Sequence, residues 1–247
     1  MRAIVLAMAL AVPLAPAAAG IVLMVEDAAA PWSAPDGSGY ANDLVRAAYA
    51  AVGEKVELQV VPYARCKHFV MRGMAAGCFS MSAAPELHGL VKFADAPLFR
   101  VFPRFYFNAA QAHAIGKESD FKPGMRIGVV NGYEYPDSVR ALAQRGVVLE
   151  ESRSESTNLK KLALGRLDAV LLMTDALKTD AVLLREAEVD NVVFGFALAP
   201  MGSYLGFSGQ RADGELARSL FNRGYALISA NGVKRAIAAK WQVRVEP

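Results

Sequence analysis

The stretch 80-SMSAAPELHGL-90 decides how the rest of the chain is read. Its first residues end the run 77-GCFSMS-82, which reads as a strand, and Pro85 lies in the loop that follows. A loop of small and polar residues at the carboxyl end of a strand is where open α/β sheets hold ligands. Whether this loop belongs to such a sheet depends on what flanks it.

Upstream, Gly20–Val25 is a short apolar run bounded by Glu26 and Asp27, as expected of a buried strand. After the turn-rich 31-PWSAPDGSGY-40, apolar positions Ala41, Leu44, Val45, Ala48, Tyr49 and Val52 repeat with helical spacing up to Gly53. Val56–Val61 alternates as a strand, and a helix is expected from Ala64 to Met71, closing at Gly73. Strand, helix, strand, helix, strand is the order of parallel α/β packing with right-handed crossovers. Downstream the order restarts. Arg126–Val130, Val147–Glu150, Asp168–Leu172 and Val192–Leu198 read as strands, with helices at Asp137–Gln144, Leu159–Leu164 and Asp175–Leu184. The apolar, aromatic 104-RFYFNAA-110 suits an extended crossover between two units, and helices are expected at Glu215–Ser229 and from Gly232 to Trp241. A chain that builds one lobe, then a second, then more helix places its ligand site between lobes.

Composition narrows the class. The 247 residues suffice for one large or two small domains, and the hydrophobic fraction of 54% allows a substantial core. Part of that fraction sits in residues 1–19, where Arg2, an apolar run from Ala3 to Leu14 and the small residues Ala17–Ala19 form a secretory signal-peptide pattern. The run is shorter than the ~20 residues needed to span a bilayer, and cleavage is expected after Ala19. Cleavage removes one of 27 basic residues and none of 24 acidic ones, leaving a formal charge of +2. The basic residues are scattered, which argues against a nucleic-acid partner. Cys66 and Cys78 form a candidate disulfide in an oxidising compartment, or are two small buried hydrophobes. His68, His88 and His113 lack metal-ligand spacing, so neither a metal nor a cofactor is expected.

The order of segments resembles the bacterial periplasmic solute-binding proteins of the family 3 type. The resembling pieces are 26-EDAAAPWSAPDGSGYANDLVRAA-48, 62-PYARCKHFVMRG-73 and 82-SAAPELHGLVKFADAPLF-99. Further on come 126-RIGVVNGYEYPDS-138, 165-GRLDAVLLMTDAL-177 and 232-GVKRAIAAKW-241. The resemblance implies a two-lobed α/β fold of the type II binding-protein kind, each lobe a mostly parallel sheet flanked by helices, with two hinge crossovers. Residues 20–107 and 201–247 would form one lobe and 108–200 the other, with hinges near Tyr106–Ala110 and Leu198–Ser203. The implied protein is a periplasmic, monomeric, non-enzymatic receptor for a small molecule. Its partner would be an ABC-type amino-acid importer permease in the inner membrane.

The same resemblance points to site residues. Trp32 stands where an aromatic packs on ligand, and Ser80 and Ser82 stand where small polar residues face the cleft. The family's Thr-Pro-Glu-Arg, whose arginine forks onto an α-carboxylate, is here Ala84-Pro85-Glu86-Leu87. The turn that offers backbone N–H groups is Gly132-Tyr133, and the position that holds an α-ammonium falls on Met173, with Asp175 two residues on. Both charge contacts for a free α-amino acid are thus missing or displaced, and neither Arg65, Arg100 nor Lys92 is aimed at the cleft by anything in the sequence. Tyr63 and Phe79 complete an aromatic and hydroxylated lining that stacks and hydrogen-bonds rather than pairs charge. Glu26, at a strand end, either receives a ligand ammonium or caps a loop. An enzyme reading would need Glu26, Glu86 and His88 for acid/base work, as in the dehydratases of this fold type. A third reading is an exported sensor that keeps the clamp without feeding a transporter.

Overall fold

The computed structural model describes residues 20–27, 29–110 and 115–243. The signal-peptide expectation and His113 lie outside the described residues.

The first lobe opens with β1 (Ile21–Glu26), α1 (Tyr40–Ala51), β2 (Val56–Val61), α2 (Tyr63–Met71) and β3 (Gly77–Met81). A single 3-10 turn at Pro85–Leu87 leads to β4 (Val91–Phe93) and then to β5 (Phe99–Asn108). The second lobe continues with β6 (Arg126–Val130), α3 (Asp137–Gln144), β7 (Val148–Ser152), α4 (Glu155–Ala163), β8 (Ala169–Thr174), α5 (Asp180–Ala187) and β9 (Val192–Ala197). The chain returns through β10 (Met201–Ser208) to α6 (Ala212–Ala230) and α7 (Val233–Lys240).

The two lobes repeat one topology. In the first, β1 pairs in parallel with β2 and β3, β10 runs antiparallel to β3, and β4 runs antiparallel to β10. In the second, β6 pairs in parallel with β7 and β8, β5 runs antiparallel to β8, and β9 runs antiparallel to β5. Four strands of each sheet therefore point one way, and the strand arriving from the other lobe opposes them. β8 is buried along its whole length, as a strand with both faces covered must be, and so reads as a continuous apolar run. Phe105, Phe107, Ile127 and Leu171 pack on one side of the second sheet, and Leu159, Leu162, Val170 and Leu172 on the other. The first lobe's core is built from Leu23, Val25, Leu44, Tyr49, Phe207 and Phe221.

Several expectations are corrected here. The first crossing lies upstream of Tyr106–Ala110: β5 pairs with β10 at Phe99–Val101 and with β8 from Phe102 onward. Residues 102–107 therefore belong to the second lobe's sheet. The crossover is one continuous strand, and the aromatic run after Phe102 is core of the second lobe. β10 is absent from the sequence reading, because Gly202 and Gly206 interrupt its apolar pattern. Gly206 is required by space, since a Cβ there would sit 2.6 Å from Met81 Sδ. Helix α5 starts at Asp180, because Asp175 accepts from the N–H groups of Leu177 and Lys178, each at 2.7 Å, and closes a turn. Helix α4 starts at Glu155, where Ser154 caps it by accepting from Thr157 N–H at 3.2 Å. Cys66 and Cys78 are joined by a disulfide with Cα atoms 5.7 Å apart, tying α2 to β3.

Candidate binding site between the lobes

The carboxyl ends of β1, β3, β6 and β8 converge where the lobes meet, around a cavity of about 50 Å³. Glu26 ends β1, Ser80 and Ser82 lie at the end of β3, and Tyr133 and Glu134 lie in the loop after β6. Met173, Asp175 and Lys178 come from the end of β8 and the turn behind it. The floor is made by Phe99, Val101 and Ser203 on the two crossing strands.

Side chains of one lobe bond directly to the other across this cleft. Trp32, stacked on Phe99 with ring centroids 3.9 Å apart, donates its indole N–H to Asp175. The Tyr133 hydroxyl donates to Glu26 Oε1 at 2.8 Å. Glu134 gathers three donors of the opposite lobe. Its carboxylate accepts from Tyr63 O–H at 2.6 Å, from Ser82 N–H at 3.0 Å and, as an ion pair, from Lys67 Nζ at 2.8 Å. Lys67 also donates to the Gly132 carbonyl at 3.2 Å, and at the rim Arg140 pairs with Glu86 at 2.7 Å.

Burial sets the electrostatics. Desolvation pushes the Glu26 carboxyl up to about 7, against the opposing pull of the Lys178 charge and the Tyr133 hydrogen bond. Burial also raises Asp175, partly offset by the N–H groups of Lys178 and Leu177 and by Trp32. For Lys178 burial acts downward, yet Glu155 beside it, with Glu26 and Asp175, holds the ammonium above its ordinary range. Lys178 and Glu155 form a buried ion pair, and Glu155 also accepts from Met173 N–H at 2.8 Å. Tyr63 and Tyr133 are both held well above the usual phenol range, first by burial and then by the carboxylates each faces. Among the described residues, the buried hydroxyls of Ser80 and Ser203 have no hydrogen-bond partner, and both residues line the cavity.

Of the residues singled out from sequence, the structure brings Glu26, Trp32, Ser80, Ser82, Tyr133 and Met173 to the cavity wall. Tyr63 is buried one layer behind, edge-on to Tyr133. Phe79 and Leu87 are not part of the wall. Phe79 is fully buried in the first lobe's core. Leu87 is fully buried in a satellite core with Cys66, Val70, Cys78 and Val91, because the Pro85–Leu87 turn folds it under the disulfide. Gly132 offers its carbonyl to Lys67, and its value lies in close approach. It has φ of +85°, and a Cβ there would meet the Ala64 Cβ at 3.0 Å across the lobe boundary. Lys92 pairs with Glu215 on the surface. Of the three acid/base candidates only Glu26 reaches the cavity; Glu86 and His88 are exposed. Sequence reasoning missed Glu134, Lys178, Glu155 and Ser203. Glu134 sits inside the quoted 126-RIGVVNGYEYPDS-138, between Tyr133 and Tyr135, and the Tyr135 hydroxyl accepts from Val130 N–H at 2.8 Å.

Two lobes of β2-β1-β3-β10-β4 and β7-β6-β8-β5-β9 order, joined by two crossing strands with a lined cleft between, define the two-lobed periplasmic-binding-protein fold of type II. Solved structures agree. A histidine kinase sensor domain with similarity to periplasmic binding proteins superposes with a TM-score of 0.75 at 19% identity, covering 92% of this chain and 98% of its own. An ancestral arginine-binding protein bound to arginine matches with a TM-score of 0.71 at 20% identity over 89% of this chain and 97% of its own. The ancestral amino acid-binding protein AncCDT-1, a precursor of cyclohexadienyl dehydratase, matches at 0.68 and 19% identity over 90% of this chain and 94% of its own. No protein-family model and no curated protein matches the sequence. Among the described residues, no helix is long and apolar enough to cross a membrane.

Proposed function

We propose that this chain is an exported, periplasmic solute-binding protein. It would capture a small polar or aromatic molecule other than a standard free α-amino acid and deliver it to an ABC-type importer. One observation carries the ligand part of this reading: the only cation among the cavity-lining residues described, Lys178, is already paired with Glu155. A ligand α-carboxylate would enter a buried wall of carboxylates with no free positive partner, which costs several kcal/mol. The fold supplies the mechanism. Strand ends from both lobes meet at one cavity, so a ligand touching both favours the closed arrangement by its differential affinity for that state. The two crossing strands at Phe99–Val101 and Met201–Ser203 are where such a hinge would bend.

The sensor reading keeps a place beside transport, because the sensor domain superposes over nearly the whole chain. A permease encoded beside this chain would favour transport; a neighbouring kinase would favour sensing. Calorimetry with the twenty amino acids tests the ligand part, and micromolar binding of any one of them overturns it. Small-angle scattering with a verified ligand tests the clamp, which requires compaction. Turnover of a bound compound would instead favour the dehydratase-like alternative.

A further inference from the structure

The cleft contains a complete anion cradle, and the protein fills it itself. Tyr63 O–H, Ser82 N–H and Lys67 Nζ come from the first lobe and converge on one carboxylate. That carboxylate belongs to Glu134 of the second lobe, 4% exposed at the cavity wall. Two hydrogen-bond donors plus an ammonium around a single carboxylate form the arrangement a protein builds for a carboxylate ligand. The rest of the wall has the opposite character. Glu26 and Asp175 face the cavity with Trp32 and Tyr133, and the unpartnered hydroxyls of Ser80 and Ser203 offer acceptors. Around the cleft stand four buried carboxylates, Glu26, Glu134, Glu155 and Asp175, against two ammonium groups, Lys67 and Lys178. Lys178 is committed to Glu155, and Lys67 to Glu134 and the Gly132 carbonyl.

We infer that Glu134 is a specificity-determining residue acting as a built-in carboxylate, and that the cleft takes a compact organic cation lacking a carboxylate of its own. The cation's charge lies against Glu26, on the wall that Glu26 shares with Trp32, Tyr133 and the unpartnered hydroxyls of Ser80 and Ser203. This rests on the solute-capture reading above and narrows it. A zwitterionic amino acid is rejected because its carboxylate meets Glu134 in the one place that could hold it. Its decarboxylated counterpart carries the same cationic end without that conflict.

The test has two arms. In the first, wild-type protein is titrated calorimetrically with matched pairs: agmatine and arginine, putrescine and ornithine, tyramine and tyrosine. At least one amine is expected to bind about a hundredfold tighter than its amino acid, the ratio a conflict of a few kcal/mol produces. Amino acids binding as well as the amines would overturn the inference and leave solute capture standing. Binding of neither set would count against solute capture and the cation assignment together. The second arm needs no natural ligand. Glu134→Ala vacates the cradle, whereas Glu134→Gln keeps it filled with a neutral side chain of the same shape. Acetate, compared with chloride at equal ionic strength, should raise the melting temperature of Glu134→Ala and leave wild type and Glu134→Gln unmoved. If acetate treats all three alike, the cradle is not an anion site and the inference falls, whatever the first arm shows.

Discussion

Glu26 and Glu134 are two buried carboxylates on the same cavity, and the lobes treat them differently. Glu134 reaches across the boundary and meets two hydrogen-bond donors and an ammonium of the opposite lobe. Glu26 receives the Tyr133 hydroxyl, and the nearest cation, Lys178, is bonded to Glu155 instead. Burial outweighs these partners at Glu26 and raises its carboxyl to about 7. A buried carboxylate is thus a latch where donors surround it and an acceptor in waiting where they do not. Both carboxylates bond across the lobe boundary, but Glu134 is held by an ammonium and two further donors, whereas Glu26 has no cation of its own and keeps the capacity for a new positive charge.

The strongest way to break this contrast is to remove the cation behind Glu26. Lys178→Met leaves Glu155 buried without its partner and takes away the charge that restrains Glu26 and Asp175. We expect a loss of about 3–5 kcal/mol in urea unfolding. A change below about 1 kcal/mol would mean that the Lys178–Glu155 pair is hydrated in solution.

A titration of stability sharpens it further. The Glu26 carboxyl is raised from 4.5 in the unfolded chain to about 7 in the fold. The folded state therefore holds its proton more tightly, and stability falls as pH rises between those two values, then levels off above 7. Burial sets this value, with Lys178 and Tyr133 pulling it down and Glu155 and Asp27 adding to the rise. The loss attributable to Glu26 is up to about 3 kcal/mol. It should vanish in Glu26→Gln, and an unchanged pH profile in that variant would assign the slope to another group.

The smallest effect belongs to the well-bonded end. Tyr63→Phe removes one donor from Glu134 and leaves Ser82 N–H and Lys67 in place, so a loss of about 2 kcal/mol is expected. Chemical denaturation measures it, and a loss matching that of Lys178→Met would show that the two ends of the cleft are not different after all.

Much of the fold is visible in local pattern. The helical spacing of Ala41, Leu44, Val45, Ala48 and Tyr49 predicts α1, and the apolar run ending at Leu172 predicts β8, because each follows from neighbours a few residues apart. β10 has no local signal, since Gly206 serves close packing against Met81, Gly202 lies against the Tyr204 ring, and neither carries an apolar side chain. Phe105 and Phe107 are equally apolar in a crossover or in a sheet, so the position of the first crossing is assigned only by pairing with β8 and β9. At the site, Trp32, Ser82 and Tyr133 were legible through the resemblance. The burial of Leu87 is not legible, because an apolar residue in a loop carries no mark of which side of the loop it will face.

The sequence by itself determined most of the order of strands and helices and the doubling of one α/β plan, and it placed Leu87 and Met173, both apolar, where the resemblance implies charged residues. Those properties are written in periodicity and in residue type at single positions. Only the tertiary structure decided that Cys66 and Cys78 are bridged, that Leu87 turns into a core, and that Glu134 rather than a surface residue meets Ser82 and Tyr63. The physical reason is separation: Glu134 lies 52 residues from Ser82 and 71 from Tyr63, and no local pattern encodes a contact formed by two lobes closing on each other.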